Sequence, residues 1–279
     1  MQDYAYPDVL VETQWVADNL DDPNIRLIET AFDTEKYELG HIPGALPWTW
    51  EKDFQHPVCK DVPDKKGWEA LLAHSGIAND TTVIVYGAPS KYYAAYAIWL
   101  LTIYGHRDVR LMNGGIEKWA AESRPLTTDV STVTPTAYQA NEPDWSTRAL
   151  RDLVHESIDD PSRVLVDVRE SDEYCGKLHS TWKLPEDGGQ RGGRIPTAVN
   201  IVWDTVLKED GTFKPVEEIQ EIYSSQRVSA EKEVITYCII GARLIRKPLP
   251  EDIKSLAGHM TLVEQSADWV AFANPDAGK

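Results

Sequence analysis

Cys238 is the residue whose type and setting best fit covalent chemistry. It directly follows the apolar run Val234 to Tyr237 and opens the segment Cys-Ile-Ile-Gly-Ala-Arg, which ends at Arg243. Ligands of open parallel sheets bind beyond the carboxyl ends of the strands, so a cysteine there lies at a ligand site. The N–H groups of a loop leading into a helix, the helix dipole and Arg243 would stabilise a thiolate and an anion beside it. Position alone fits equally well a buried cysteine that serves as a small apolar residue.

The other cysteines and the histidines indicate neither a disulfide framework nor a metal site. The three cysteines are odd in number, far apart and form no CxxC pair. We interpret Cys59 as a loop thiol. Cys175, near a strand end, is interpreted as a bystander in preference to a thiol that forms a disulfide with a reactive cysteine. The seven histidines show no HxxxH spacing, and His41 and His106, each next to a glycine, are expected to bind backbone groups at turns.

The elements that would position Cys238 are encoded twice. Within each half, short β-branched runs alternate with helical patterns, which predicts an α/β fold with a mainly parallel sheet flanked by helices. Gly87 ends the run of the first half that matches the run ending at Cys238. The matched runs are Leu27 to Thr30 with Leu165 to Val168, Gly40 to Ala45 with Gly193 to Ala198, and Val83 to Gly87 with Val234 to Cys238.

The repeat divides the chain into two predicted domains, 1–124 and 148–279. The segment 125–147 contains three prolines among Thr and Ser residues without a sustained apolar period, so we interpret it as the interdomain linker. The second half has an insertion around Leu178 to Gln190, rich in Gly and polar residues, which predicts a surface loop.

Several helices follow from apolar spacing. A nearly all-apolar stretch that stops at Gly105 predicts a buried helix, whose aromatic residues we interpret as core and domain interface. Thr13 is expected to cap the first helix. The residues assigned to helical apolar faces are Trp15, Val16 and Leu20; Trp68, Leu71 and Leu72; Tyr92 to Tyr104, including Tyr92, Tyr93, Tyr96 and Trp99; and Leu150, Leu153, Val154 and Ile158.

The composition favours a folded, acidic protein outside the membrane. The 279 residues include 28 basic and 45 acidic ones, and the net charge of −17 repels nucleic-acid phosphates and anionic lipid head groups. No apolar run approaches the roughly 18 residues that span a bilayer, and the first residues lack a secretory signal, so we expect a cytoplasmic protein. Adaptation to a high-salt environment is a second explanation of the acidity. Charge alone does not decide between the two explanations.

The repeat and the cysteine segment resemble the rhodanese family of sulfurtransferases, in particular its tandem-domain thiosulfate sulfurtransferases. The resemblance implies two rhodanese-like domains, the first non-catalytic because Gly87 stands where the second has Cys238. The motifs that carry it span most of the chain: Asp8 to Val11, Gly40-His41-Ile42-Pro43-Gly44-Ala45, Gly76 to Val83, Tyr104-Gly105-His106, Leu111 to Gly115, Leu165 to Arg169, Gln190 to Gly193, Asp210 to Lys214 and Tyr237-Cys238.

The resemblance also implies a reaction. The Cys238 thiolate attacks the outer sulfur of thiosulfate, releases sulfite and holds a persulfide, which passes to cyanide, a small thiol or a protein thiol. Arg243 offsets the charge of the donor, and backbone N–H groups hold the persulfide. Arg191 is either a second cation of the site or a solvated loop residue. No metal or organic cofactor is implied. The residues of the implied binding loop are Ile239, Ile240, Gly241 and Ala242.

Some residues depart from the family pattern. Ile239 stands where the family loop has arginine, which removes a charged hydrogen bond of about 1.5 to 3 kcal/mol and predicts a roughly ten- to hundredfold loss of thiosulfate affinity. Pro248 and Pro250 fit a helix start and not a helix interior. Arg194 replaces the expected histidine of the Gly-His-Ile-Pro motif, and Glu264 to Ala267 stands where relatives carry Asp-Gly-Ser-Trp.

Three other functions remain open. A cysteine phosphatase would need five residues between cysteine and arginine, whereas four separate Cys238 from Arg243. A mercaptopyruvate sulfurtransferase has a loop resembling CGSGVT, which shares only Gly241 in its interior. The third alternative, favoured by Ile239 and the prolines, is a catalytically weak protein that binds an anion or a partner.

Asp167 and Arg169 are expected to form a structural pair beside the cysteine loop.

Overall fold

The structure, a computed structural model, describes residues 7–58, 61–88, 92–178, 192–238 and 261–263. Contacts between residues divide the chain into two compact units. The first unit comprises the described residues of Tyr6–Asp144 together with Leu207–Phe213, and the second comprises those of Trp145–Val206 and Lys214–Lys279.

The first unit is built on a parallel sheet of five strands in the order β1-β5-β4-β2-β3. A short 3-10 helix, Pro7–Val9, precedes the first strand. The strands are β1 (Leu10–Val11), β2 (Ile25–Ala31), β3 (Leu46–Thr49), β4 (Thr82–Gly87) and β5 (Val109–Met112). The helices are α1 (Thr13–Asp18), α2 (Glu35–Leu39), α3 (Lys65–His74), α4 (Tyr92–Ile103) and α5 (Gly115–Ala121).

The second unit repeats this sheet in the order β6-β10-β9-β7-β8, again with parallel pairing throughout. The predicted fold class is therefore confirmed. The strands are β6 (Arg148–Ala149), β7 (Arg163–Asp167), β8 (Val199–Asn200), β9 (Glu233–Tyr237) and β10 (Thr261–Val263), and a 3-10 helix, Trp145–Thr147, precedes them. The described helices are α6 (Arg151–Ser157), α7 (Ser171–Tyr174) and α8 (Val216–Ser225).

The strand register places the two halves of the sequence in equivalent positions. Glu29 on β2 lies opposite Tyr86 on β4, and Asp167 on β7 lies opposite Tyr237 on β9. Because Gly87 follows Tyr86 as Cys238 follows Tyr237, glycine and cysteine occupy the same place in the two sheets.

The apolar spacing located the principal helices of the first unit. Every residue of α4 except Thr102 is buried, and α3 buries Trp68 and Leu72. Within the described part of the chain, no helix is long and apolar enough to cross a membrane.

Two predictions about helix starts are wrong. The cap residue of α1 is Glu12, and Thr13 is the first helical residue, whose hydroxyl donates a hydrogen bond of 2.6 Å to Glu122. Leu150 does not share the apolar face of α6: it precedes the helix in extended conformation and is 48% exposed. Both errors arise because the helix begins one residue away from the position that the apolar spacing suggested, a common uncertainty at helix ends.

The strap, residues 125–144, runs along the first unit and is bonded to it at successive points. Thr127 pairs with His41 through two backbone hydrogen bonds of 2.9 Å. The Thr136 N–H donates to the Ala73 carbonyl, and the Asp144 N–H donates to the Ile103 carbonyl. The strap therefore belongs to the first unit as a bonded element, while the predicted domain bounds at 124 and 148 stay predictions.

Candidate active site

Cys238 lies directly beyond β9, the strand flanked by β10 and β7 near the middle of the second sheet. All residues from Val234 to Tyr237 are buried, as expected for a parallel strand covered on both faces. The Val168 N–H donates to the Tyr237 carbonyl at 3.1 Å, so hydrogen bonding between β7 and β9 continues up to the residue before Cys238. Cys238 itself is half-buried and follows the end of a strand that hydrogen bonds hold in place.

A buried ion pair lies at the end of the neighbouring strand. The Arg169 guanidinium donates to both carboxylate oxygens of Asp167, with the shortest distance, 2.6 Å, from Nη2 to Oδ2. Asp167 is fully buried and Arg169 is 9% exposed, which confirms the predicted structural pair. Burial alone would lower the pKa of the Arg169 guanidinium, but the hydrogen bonds and charge of Asp167 raise it above its ordinary value. Arg169 is therefore a permanent cation.

Tyr237 joins this ion pair to the strand that precedes Cys238. The Arg169 guanidinium lies 5.8 Å from the centre of the Tyr237 ring. The Tyr237 hydroxyl accepts a hydrogen bond of 3.1 Å from the Ile195 N–H. Burial, followed by the Asp167 charge, raises the pKa of Tyr237 well above its ordinary value, so the phenol stays neutral.

Gly176 packs closely against the Gly192-Gly193 segment, a contact that the sequence reasoning missed. A Cβ on Gly192 would lie 2.8 Å from the Gly176 carbonyl oxygen, a distance too short for any side chain. The Gly193 carbonyl in turn accepts a hydrogen bond of 2.7 Å from Arg169 Nη2. The adjacent glycines were the only sequence signal for this close approach.

Asn200 is a second residue that the sequence reasoning missed. Its side-chain amide donates to the carbonyl oxygens of Asp167 and Arg169 at 3.0 and 2.9 Å. Counting from Ala198 and Ala45 in the matched runs, the equivalent residue in the first half is Pro47, which has no such donor. Asn200 therefore stabilises the turn after β7 in the second unit alone.

Arg194, the residue in place of the family's histidine, is exposed and lies over the Tyr174 ring, with its guanidinium carbon 4.5 Å from the ring centre. The Tyr174 hydroxyl donates a hydrogen bond of 2.8 Å to the Ala198 carbonyl. The substitution thus leaves a cation held against an aromatic ring near the start of β8.

The remaining predicted site residues fall into two groups. Cys175 is an exposed thiol at the end of α7. Within the described residues, no three His, Cys, Asp or Glu side chains form a metal-binding group. The predicted loop beyond Leu178 lies outside the described residues, as do several predicted residues of the site and of the family pattern. These are Cys59, Arg191, Ile239, Ile240, Gly241, Ala242, Arg243, Pro248, Pro250 and Glu264 to Ala267.

Comparison with known families assigns the two sheets to one domain type. A family described as "Rhodanese-like domain" matches residues 12–122 and 150–262. The chain belongs to the rhodanese family. The match in each half agrees with the internal repeat and confirms the resemblance.

Relatives similar over almost their whole length extend this assignment. The chain is 40% identical over 274 residues to "Sulfur carrier protein TtuD" of Thermus thermophilus, covering 97% of this chain and 95% of the relative. It is also 40% identical over 267 residues to "Putative thiosulfate sulfurtransferase" of Saccharopolyspora erythraea, covering 96% and 94%. The names and the fold together support membership among sulfurtransferases.

Solved structures show the same fold at lower identity. The 3-mercaptopyruvate sulfotransferase SseA of Escherichia coli matches with a TM-score of 0.74 and 21% identity, covering 92% of this chain and 98% of that one. An anaerobic ergothioneine biosynthesis enzyme from Chlorobium limicola matches with a TM-score of 0.77 and 22% identity, covering 96% and 69%. At these identities the similarity establishes the rhodanese fold alone.

Proposed function

We propose that this rhodanese-family protein transfers the sulfane sulfur of thiosulfate through a persulfide on Cys238. The observation that carries the proposal is the position of Cys238, half-buried directly beyond β9, where the first sheet has Gly87. Of these two equivalent positions, only that in the second unit offers a nucleophile, and it lies where parallel sheets bind ligands.

The proposed reaction has two steps, loading of sulfur onto Cys238 and its transfer to the acceptor. The Cys238 thiolate attacks the outer sulfur of thiosulfate, forming an S–S bond while the bond from that sulfur to the sulfonate sulfur breaks and sulfite leaves with the electron pair. The persulfide anion keeps one negative charge. Cyanide or a thiolate then attacks the terminal sulfur, and the Cys238 thiolate returns as the leaving group. With cyanide the product is thiocyanate.

The loop that follows Cys238 would supply the charge compensation. We assign Arg243, and Arg191 where it reaches the site, to the thiosulfate dianion, and the backbone N–H groups of Ile239 to Ala242 to the persulfide. The departure at Ile239 removes one cation, so binding of thiosulfate should be weaker than in a loop beginning Cys-Arg.

One relative supports a role in carrying sulfur, for which a protein thiol would be a suitable acceptor. The relative from Thermus thermophilus is named a sulfur carrier protein and is 40% identical over nearly the whole chain. A protein that carries sulfur must hold it and release it, so a persulfide on Cys238 would be the carried form of the sulfur as well as the catalytic intermediate. Cyanide and small thiols remain acceptors for assay.

The experiment measures the intact mass of the reduced protein before and after incubation with thiosulfate. Wild-type protein should gain about 32 Da, the mass of one sulfur, and lose it on addition of cyanide with formation of thiocyanate. Cys238→Ser should gain nothing. Cys175→Ser is the matched control, since Cys175 is an exposed thiol of the same unit, and it should load sulfur as the wild type does.

Different failures identify different alternatives. No mass gain at millimolar thiosulfate, but a gain with 3-mercaptopyruvate, would replace the donor and keep the role of Cys238. No gain with either donor would contradict sulfur transfer and favour the protein that binds an anion or a partner. A gain that persists in Cys238→Ser would contradict the assignment of the nucleophile.

A further inference from the structure

The two units treat the same buried carboxylate position differently. In the first unit, Glu29 accepts a hydrogen bond from Tyr86, and Ala31 follows two residues later. In the second unit, Asp167 lies opposite Tyr237, and Arg169 follows two residues later. Both tyrosine hydroxyls accept a hydrogen bond from a backbone N–H, that of Ile42 in the first unit and that of Ile195 in the second. The difference that stands out is the arginine.

The first unit shows that this architecture forms without the arginine. With alanine at that position, β2 and β4 still pair over six residues and Tyr86 still reaches its carboxylate. A buried ion pair is also weak evidence for stability, because desolvation of both charges offsets their attraction. Folding alone therefore does not account for an arginine placed only in the unit that carries Cys238.

Arg169 connects three segments that converge beside Cys238. Its guanidinium is bonded to Asp167 at the end of β7 and to the Gly193 carbonyl before β8, and it packs on the ring of Tyr237, the residue before Cys238. Its own backbone carbonyl is held by Asn200. A planar guanidinium donates in two directions at once, which a lysine ammonium on a flexible stem does not reproduce.

We propose that Arg169 is a positioning residue for sulfur transfer, which fixes the strand end carrying Cys238 against the Gly193 segment. The inference rests on the proposed function, since it assigns Arg169 a role in that reaction. Arg169 acts through Tyr237 and Gly193 and not through direct contact with sulfur. Errors of about 1 Å in the placement of a reacting group lower rates by about a hundredfold. Loss of the Arg169 contacts should therefore lower kcat more than it changes KM.

Two variants test this role, and they are expected to change the stability of the fold to different degrees. Arg169→Lys keeps a cation for Asp167 but loses the fork that also holds Gly193. The double variant Asp167→Glu with Arg169→Ala copies the arrangement that the first unit tolerates. The matched control is Glu29→Gln, which alters the equivalent carboxylate in the unit without the cysteine. Circular dichroism and the Tm report folding, and steady-state transfer from thiosulfate to cyanide gives kcat and KM separately.

The expected result is a loss of roughly ten- to hundredfold in kcat for both variants, with KM changed by less than about threefold and the fold retained. The control should keep the wild-type kcat. Recovery of kcat in Arg169→Lys would overturn the inference, because a cation for Asp167 would then suffice. Unfolding of both variants would also overturn it, since Arg169 would be a stability element.

The proposed function and this inference fail in distinguishable ways. If the wild-type protein gains no sulfur from thiosulfate, the proposed function fails and the inference fails with it. If the wild type gains sulfur and both Arg169 variants turn over within about threefold of it, only the role of Arg169 is overturned.

Discussion

Glu29 and Tyr86 lie opposite each other on β2 and β4, and the Tyr86 hydroxyl donates a hydrogen bond of 2.6 Å to Oε2 of the Glu29 carboxylate. Glu29 is 1% exposed, and within the described residues its Oε1 has no hydrogen-bond partner. Burial raises the pKa of the Glu29 carboxyl from 4.5 to about 7; the Tyr86 hydrogen bond opposes the rise and the charge of Glu117 adds to it. The first unit therefore contains a carboxyl group that ionises near neutral pH.

We predict that the wild type loses folding stability as the pH rises and that Glu29→Gln abolishes this loss. The folded pKa lies above the unfolded one, so the stabilising contribution of the protonated carboxyl is complete below pH 4.5 and is lost as the pH rises through about 7. The distance between these pKa values corresponds to about 3 kcal/mol in the free energy of unfolding. Urea denaturation from about pH 4.5 to 8.5 measures it.

Glu51→Gln is the control for this prediction. Glu51 is exposed in the same unit, so its substitution should leave the pH dependence unchanged. Curves of wild type and Glu29→Gln that run parallel across the pH range would show that the Glu29 carboxyl is already ionised in the folded chain.

His106 should produce a pH dependence of opposite sign. Its ring is buried, with Nε2 2.9 Å from the Thr81 carbonyl oxygen and Nδ1 3.2 Å from the Tyr138 hydroxyl. Burial lowers the pKa of His106 below its ordinary value, against the Thr81 carbonyl and the Asp108 charge. The stabilising contribution of the neutral ring is therefore complete above pH 6.5 and is lost as the pH falls through the lowered folded pKa.

His106→Asn tests this prediction. At neutral pH the variant should lose about 1 to 3 kcal/mol in the free energy of unfolding, since one buried and one part-buried hydrogen bond are removed. The deficit should shrink as the pH falls, because wild type alone must protonate a buried imidazole. The same urea series measures the difference, with the exposed residue His74 replaced by Asn as the control. A deficit that stays constant with pH would contradict a buried neutral ring.

The sequence predicted the parts of the fold that depend on local pattern. The runs ending at Gly87 and Cys238 have the apolar character of strands buried on both faces, and the near-continuous apolar stretch from Tyr92 correctly gave a buried helix. The pairing of Asp167 with Arg169 was also predicted, because the two opposite charges lie two residues apart at the end of a buried strand. Repetition made the strand assignments stronger, since matching runs were found in both halves.

The sequence did not predict contacts between residues distant along the chain. The Arg169 bond to the Gly193 carbonyl spans 24 residues, and a backbone acceptor leaves no trace in residue type. The strap was interpreted as a linker because its prolines and polar residues lack a period, yet its bonds to the first unit are made by backbone groups and polar side chains. Such bonds need no apolar pattern.

The strap should loosen when Asn79 is replaced. The Asn79 side-chain amide donates to the Gln139 carbonyl at 2.7 Å and accepts from the Gln139 N–H at 3.1 Å, which holds the strap backbone like a paired strand. We predict that Asn79→Ala lowers the free energy of unfolding by about 1 to 2 kcal/mol and speeds cleavage of the strap by thermolysin. In Lys65→Ala, which removes an exposed ion pair to Glu142, thermolysin should cleave the strap at the wild-type rate. Equal cleavage of all three proteins would contradict a strap bonded through Asn79.

Ile239→Arg should restore the cation that the cysteine loop lacks relative to its family. A charged hydrogen bond to the thiosulfate dianion is worth about 1.5 to 3 kcal/mol, so the KM for thiosulfate should fall by roughly ten- to a hundredfold. Ile239→Met keeps an apolar side chain of similar size and is expected to keep the wild-type KM. Because a charge effect is screened by salt, the gain of the arginine variant should diminish as the ionic strength rises. A KM that is the same in both variants would show that residue 239 does not contact the donor.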